Sequence, residues 1–333
     1  MNQRTEILDL LAGKKIATQP AFSGLIHVTE AGLQSEGLAL HEVHHDAGKL
    51  ARAAASTYKL TGFPSAVAPL DLYVEAEALG AAVNFYEGEE TALPQVKKMA
   101  FDSARKFATE HTEKDEILLK GRIKIVCDAI QKIKQDIGGE AVVGGMIPGP
   151  YTLLLLIVNT GNMFIEMKKD PAAVSAALTI LASLLAQVGS AYRNAGADFL
   201  TIHDMGGSPG FIGPAKFEQF VLPAEKMLID SLPGPRVLSV CGNVDKSINL
   251  LATTGAEAIS LDQTSDLVAA RRALSGCLLF GDLDPVATLW RGDEAHVREA
   301  AQRAREAGVD AVWPGCDLVP GTPPQNLSAL GML

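Results

Sequence analysis

The sequence predicts an α/β fold, a (β/α)8 TIM barrel with an elaborated N-terminal helical region. Eight short β-rich runs alternate with helical stretches along the 333 residues. Three of the runs are entered through the same punctuation: Asn194-Ala-Gly-Ala-Asp198, Thr254-Gly-Ala-Glu257 and Ala307-Gly-Val-Asp310. In each, a glycine just past a helix leads at once into a strand. No Pro/Gly/Ser-rich linker divides the chain, so residues 1–333 read as one domain, of a length ordinary for a single barrel.

In chain order the candidate strands are Ala21–Val28, Ser65–Leu70, Ala141–Ile147, Asp198–His203, Arg236–Cys241, Ala256–Asp262, Cys277–Gly281 and Val309–Trp313. Repeating βα units predict a parallel sheet with right-handed crossovers, and eight of them predict closure. Helix spans Asp46–Tyr58 between the first two strands. A long excursion, Glu75–Gly139, separates the second from the third; it holds a loop at Tyr86–Glu90 and a charged helix ending at Lys132-Ile-Lys134. Two stretches are uncharged enough to be weighed as membrane spans. Ala141–Ile165 is broken by Pro148, Pro150 and several glycines, so it reads as strand, loop and helix start. Pro171–Tyr192 is long enough to span, but Ser, Thr, Gln and Gly dilute it, and it reads as a buried barrel helix.

The composition, 47% hydrophobic and 20% charged, supports a large core. A net charge of −10 argues against nucleic acid or an anionic membrane as partner. Four cysteines in this length do not make a disulfide framework and point to free thiols in a reducing cytosol. The start, Met-Asn-Gln-Arg-Thr-Glu-Ile-Leu-Asp9, lacks a secretory apolar stretch, so the expected location is cytoplasmic.

Active sites of such barrels lie at the C-terminal ends of the strands. That logic selects Asp71 with Glu75 and Glu77 after the second strand, Pro148-Gly-Pro-Tyr-Thr152 after the third and His203-Asp204 after the fourth. It then selects Cys241, Asp262-Gln263, Asp282-Leu-Asp284 and Cys316 after the remaining four. Two thiols, an imidazole and carboxylates on one rim suit Zn²⁺, which takes Cys, His and carboxylate ligands. The competing reading is two buried apolar cysteines, which are common. Cys127 falls on an apolar helical face and Cys277 opens its strand at the opposite end of the barrel, so both read as packing. Glu75 and Glu77 are two apart and cannot share a helix face, so at most one points into a pocket. His27 closes the first run and could line the pocket, whereas His41, His44 and His45 read as a solvated loop. His203-Asp204 reads equally as a core pair or a pocket pair. Gly144-Gly145 and Gly206-Gly207 do not make a dinucleotide fingerprint.

Several segments together resemble the uroporphyrinogen decarboxylase superfamily. They are Phe63-Pro64, Val74-Glu-Ala-Glu-Ala-Leu-Gly80, Pro148-Gly-Pro-Tyr-Thr-Leu153, Asp204 with Ser208-Pro209, Phe217, Phe220 and Pro223, Cys241-Gly-Asn243 and Gly281-Asp-Leu-Asp-Pro285. They cover nearly the whole chain in order. The decarboxylases themselves carry an N-terminal Arg-rich motif that grips substrate carboxylates; here no arginine follows Arg4 until Arg52. The Glu75–Gly80 segment resembles instead the corrinoid-dependent methyltransferases of the superfamily. That resemblance implies a zinc held by a His-x-Cys on the fifth strand and a Cys after the eighth, and Cys241 and Cys316 match both cysteines. The histidine two residues before Cys241 is replaced by Ser239, a poor zinc ligand, and Gln263 also stands where an acid would ligate better. A substitute would be His203, Glu75 or Glu77; a weak or substrate-dependent site and a metal-free chemistry are the alternatives.

The implied function is methyl transfer between a corrinoid (cobalamin) carried by a partner protein and a small substrate, expected to be a thiol, with His203, Asp204, Glu75 and Glu77 as candidate catalytic groups. A porphyrinogen decarboxylase and a non-catalytic small-molecule or corrinoid-protein-binding barrel are the competing readings.

Overall fold

The strands of the computed structural model, which describes residues 2–331 apart from 90, 91, 115 and 119, fall into one parallel sheet and one small hairpin. Glu90, the end of the expected loop, lies outside the described residues. In chain order the strands are β1 (Ser65–Ala68), β2 (Ala82–Asn84), β3 (Gln95–Lys98), β4 (Val142–Pro148), β5 (Phe199–His203), β6 (Arg236–Val240), β7 (Ala258–Leu261), β8 (Leu278–Leu283) and β9 (Ala311–Pro314). The parallel sheet has the order β1-β4-β5-β6-β7-β8-β9, and β2 and β3 form the separate antiparallel pair. Seven of the eight expected strands are therefore present, in sequence order, with helices between them.

The first expected strand, Ala21–Val28, is not a regular strand. It makes a single parallel bridge, Ala21 to Val312 of β9. On its other side the Ser23 amide donates to the Ser65 hydroxyl of β1 at 3.0 Å. The segment thus bridges the two edge strands and closes the ring without a continuous ladder. The cause is local. The Ser23 hydroxyl accepts the Leu25 amide at 3.0 Å, a turn that competes with strand pairing. Gly24 is pressed against Thr201, Phe199 and Trp313 so closely that a Cβ would fall 2.1 Å from the Thr201 hydroxyl. The turn drives Phe22 and Leu25 into the barrel.

Alternation along the strands separates two cores. Val142, Phe199, Val237, Ala258, Phe280, Ala311 and Trp313 point inward with Phe22 and Leu25. The intervening residues Leu200, Leu238, Ile259, Leu279 and Val312 face the helices. Phe22 meets Trp313 edge-on, with centroids 5.1 Å apart, a geometry worth about 0.5–1.5 kcal/mol beyond its buried area. The N-terminal helix Gln3–Leu11, capped by Asn2, stops the bottom of the barrel with Ile7, Leu10 and Leu11. The apolar helix Pro171–Asn194 lies against the sheet, with Val174, Leu178, Leu181, Leu185 and Val188 buried, as a barrel helix should be. The hairpin β2–β3 is the part of the 75–139 excursion that the sequence did not announce.

Candidate functional site

Three neighbouring strands repeat one upward pattern. β5 presents Phe199, Thr201 and His203 inward; β6 presents Val237 and Ser239 and leads to Cys241; β7 presents Ala258 and Ser260 and leads to Asp262. Each column runs from apolar at the bottom, through a hydroxyl, to a functional group at the top. Cys316, two residues past β9, comes to the same place from across the ring.

The two thiols and the imidazole meet. Cys241 Sγ lies 3.2 Å from Cys316 Sγ and 3.6 Å from His203 Nε2, and Cys316 Sγ lies 3.9 Å from the same nitrogen. A tetrahedral zinc with bonds of about 2.3 Å to sulfur and 2.0 Å to nitrogen sets S···S at about 3.8 Å and S···N at about 3.6 Å. The His–Cys spacings fit as they stand, and the thiols need to part by about half an ångström. The donor set therefore suits zinc. Among the described residues these three are the group of His, Cys, Asp or Glu whose ligand atoms all lie within 4.8 Å of one another.

Asp317 backs this cluster. Its Oδ1 accepts the Ile26 amide at 2.8 Å and lies 3.8 Å from His203 Nδ1, the face of the ring turned away from the thiols. At that distance Asp317 acts on the ring through its charge rather than through a hydrogen bond, and His203 Nδ1 is buried without a hydrogen-bond partner. Burial alone would lower the His203 pKa, but Asp317 and Cys316 outweigh it and raise it to about 9. The Cys241 hydrogen bond, with His203 adding to it, pulls Cys316 down to about 4 against its burial, while the same hydrogen bond and burial push Cys241 up. Burial raises Asp317 to about 6. Asp262 braces the Cys241 turn by accepting the Gly242 amide and, at 2.9 Å, the Thr264 amide.

The other expected site residues are elsewhere. Asp204 is buried beside His203, but its side chain turns into the loop: Oδ1 accepts the Thr152 hydroxyl at 2.5 Å and the Gly207 amide at 3.2 Å. Burial and the Asp204 carboxylate together raise the Glu225 carboxyl well above the usual carboxylate range. Glu75 and Glu77 diverge, as their spacing requires. Glu75 is fully buried; its Oε1 accepts the Tyr192 hydroxyl at 3.4 Å, and burial raises its pKa to about 8. Glu77 accepts from Arg122 Nε at 2.6 Å. Neither belongs to the thiol cluster. Gln263 is exposed.

Two histidine readings are corrected. His27 does not line the pocket: its ring nitrogens lie 2.6 Å from the Leu25 carbonyl and 2.9 Å from the Ser65 carbonyl, pinning the closing segment to β1. His44 is not solvated; it is buried 2.9 Å from Asp71, which also takes Arg122 in a bidentate pair at 2.8 and 3.1 Å. His45 is exposed, as the loop reading had it, and His41 is half-buried. Sequence reasoning missed Asp317, Glu225 and Arg122. Asp317 is an acid directly after the second rim cysteine. Glu225 occupies an apolar-face position among Val221, Leu228 and Ile229, which was a signal; Arg122 carried none.

The uroporphyrinogen decarboxylase (URO-D) family profile matches residues 2–331. The chain belongs to the uroporphyrinogen decarboxylase family. Its relatives within it include the methylcobamide:CoM methyltransferase of Methanosarcina acetivorans, 28% identical over 323 residues and covering 96% of this chain and 94% of the relative. The methylcobamide:CoM methyltransferase of Methanosarcina mazei is 30% identical over 301 residues, covering 90% and 87%. A solved methyltransferase from Methanosarcina mazei superposes with a TM-score of 0.93 at 26% identity, covering 99% of this chain and 97% of that one. His203 is the register partner of Ser239 on the adjacent strand, and its imidazole lies beside both thiols.

Proposed function

We propose that the protein is a corrinoid-dependent methyltransferase that moves a methyl group between a corrinoid protein and a small thiol, with zinc held by His203, Cys241 and Cys316. The observation that carries the reading is the convergence of those three donors at the mouth of a barrel whose relatives bear methylcobamide:CoM methyltransferase names. A zinc there would act as Lewis acid and lower the pKa of an incoming thiol. The chain's own residues do the rest. Asp317 places a negative charge behind the His203 ring, and Asp262 holds the Cys241 turn against the rim. The apolar barrel interior beneath excludes bulk water, and the corrinoid approaches the half-buried thiols from the rim side. Thiol methylation is the favoured direction, since the relatives' names pair methylcobamide with CoM. Four free cysteines fit a reducing, cytosolic location.

The decarboxylase alternative lacks its cationic grip. Arg4 is tied at 2.8 Å to Asp198, which precedes β5 at the opposite end of the barrel, and Arg52 pairs with Glu36 at 2.9 Å on the surface. The test is the loss of the methylcobalamin spectrum on adding zinc-loaded protein and a thiol, with uroporphyrinogen as a parallel substrate. Demethylation with methylated thiol as product supports the proposal. Turnover of uroporphyrinogen, or corrinoid binding with no methyl transfer, overturns it.

A further inference from the structure

Cys241 and Cys316 are held side by side by the fold itself. Cys241 ends the β6 column and opens the turn at Gly242, and Cys316 follows Gly315 after β9. Both turns are fastened to one residue of the β7 rim. The Asp262 carboxylate accepts the Gly242 amide, and Gly315 is so close that a Cβ there would fall 2.9 Å from Asp262 Cα. With both turns so fastened, the two sulfurs stand 3.2 Å apart. That spacing lies between two bonded states. Parting by about half an ångström gives the separation of two thiolates on a tetrahedral zinc. Closing by about 1.1 Å gives the sulfur–sulfur bond of a disulfide, about 2.05 Å. Both cysteines are half-buried at the rim, so a molecule the size of a peroxide reaches them. The other two thiols form no such pair. Cys277 Sγ, at the opposite end of the barrel, faces the Ala256 and Glu257 carbonyls at 3.3 and 3.4 Å, and Cys127 packs against the core from the helix Ile123–Ile137. Burial pushes both of these thiols up to about 11, which keeps them protonated and slow toward oxidants.

We infer that Cys241 and Cys316 are a redox switch: a hydroperoxide joins them in a disulfide, and the site loses its metal. One sulfur attacks an oxygen of the peroxide. The O–O bond breaks, the other oxygen leaves as water with the thiol proton, and a sulfenic acid forms. The second sulfur attacks the first, the S–S bond forms, and the sulfenic oxygen leaves as water with the second thiol proton. Two thiols are oxidised and one hydrogen peroxide is reduced to two waters. The disulfide is intramolecular because each sulfur already touches its partner, which gives it an effective concentration far above that of any free thiol. The same contact spares the sulfenic acid from further oxidation. His203 is then left as a single donor, and one imidazole does not retain zinc. A dithiol reductant restores both sulfurs by exchange. The disulfide stands on the geometry of the chain, whereas the loss of metal rests on the zinc reading.

The test treats the full chain with hydrogen peroxide, zinc-free and zinc-loaded, and reads thiols, mass and released zinc rather than methyl transfer. Both remaining thiols of Cys127→Ala/Cys277→Ala should be lost together, with the mass falling by two hydrogens and a non-reducing peptide map joining Cys241 to Cys316. The zinc-loaded protein should release about one zinc per chain to a chelating dye in step with that loss. Dithiothreitol should return both thiols and, with added zinc, the metal. In the same background, Cys241→Ser removes the resolving sulfur, and Cys316 should then gain oxygen as sulfinic acid instead of closing a bond. Sulfinic or sulfonic acid while both cysteines are present overturns the inference, as does a disulfide between two chains or two thiols that survive the peroxide. A Cys241–Cys316 disulfide that forms in the zinc-free chain, in a protein that takes up no zinc when reduced, counts against the functional reading alone.

Discussion

His203 and Ser239 are register partners on the adjacent parallel strands β5 and β6, and His203 Nε2 reaches 3.6 Å from the sulfur of Cys241, two residues beyond Ser239. A side chain at either position of this pair faces the barrel interior near the same rim. The imidazole thus stands one strand over from position 239 and still lies beside both thiols.

Glu75 is a structural acid, and its pH signature separates that role from metal ligation. Its folded pKa of about 8 lies above its ordinary value near 4.5 because of burial. The folded state therefore holds a proton that the unfolded state releases. The stability from this group is full below about pH 4.5 and is lost as pH rises toward 8. Glu75→Gln keeps the neutral shape. It should remove a loss on the order of a few kcal/mol across that window, with zinc content unchanged. Parallel melting curves of the two proteins from pH 5 to pH 8.5 check this, and identical pH slopes contradict it.

Arg122 is the counter-ion of a buried acid. Its guanidinium takes Asp71 at 2.8 and 3.1 Å and Glu77 at 2.6 Å, and it lies 4.9 Å from the centre of the Phe85 ring. Although burial opposes it, Arg122 with His44 holds the Asp71 carboxyl well below the usual range. Arg122→Met strands that charge and should cost about 3–5 kcal/mol in urea denaturation. A change under about 1 kcal/mol would mean that Asp71 finds another partner.

Asp204 is a positioning residue for the rim loop. It accepts the Thr152 hydroxyl, and that hydroxyl in turn accepts the Gly206 amide at 2.8 Å. Gly207 is so close that a Cβ there would fall 2.0 Å from the Asp204 carboxylate. In Asp204→Ala, hydrogen exchange at the Gly206 and Gly207 amides should accelerate by about tenfold or more while zinc stays bound. Unchanged protection at both amides would show that the loop is held by something else.

The legible part of this protein was its periodic part. Parallel strands buried on both faces read as continuous apolar runs, so seven of eight were visible. Ala21–Val28 looked the same in sequence, but Ser23 and Gly24 turn it inward, and that depends on Phe199 and Trp313, far away in the chain. Cys241, Cys316 and His203 could be placed on one rim because strand ends are ordered. Which candidate stands beside the two thiols was a matter of register between β5 and β6, and register is set by packing across strands. His44 looked solvated because its partners, Asp71 and Arg122, lie 27 and 78 positions downstream. Asp317 and Glu225 gave weak local signals; Arg122 gave none.

The central claim is that His203, Cys241 and Cys316 hold one zinc. Zinc per chain, measured by elemental analysis on wild type, His203→Ala, the double variant His203→Ala/Ser239→His, and Cys241→Ala/Cys316→Ala, tests it most directly. The account predicts about one equivalent in the wild type, loss in His203→Ala and in the double-cysteine variant, and recovery when the imidazole is returned through position 239. Full zinc in His203→Ala, or in the protein lacking both thiols, would contradict it.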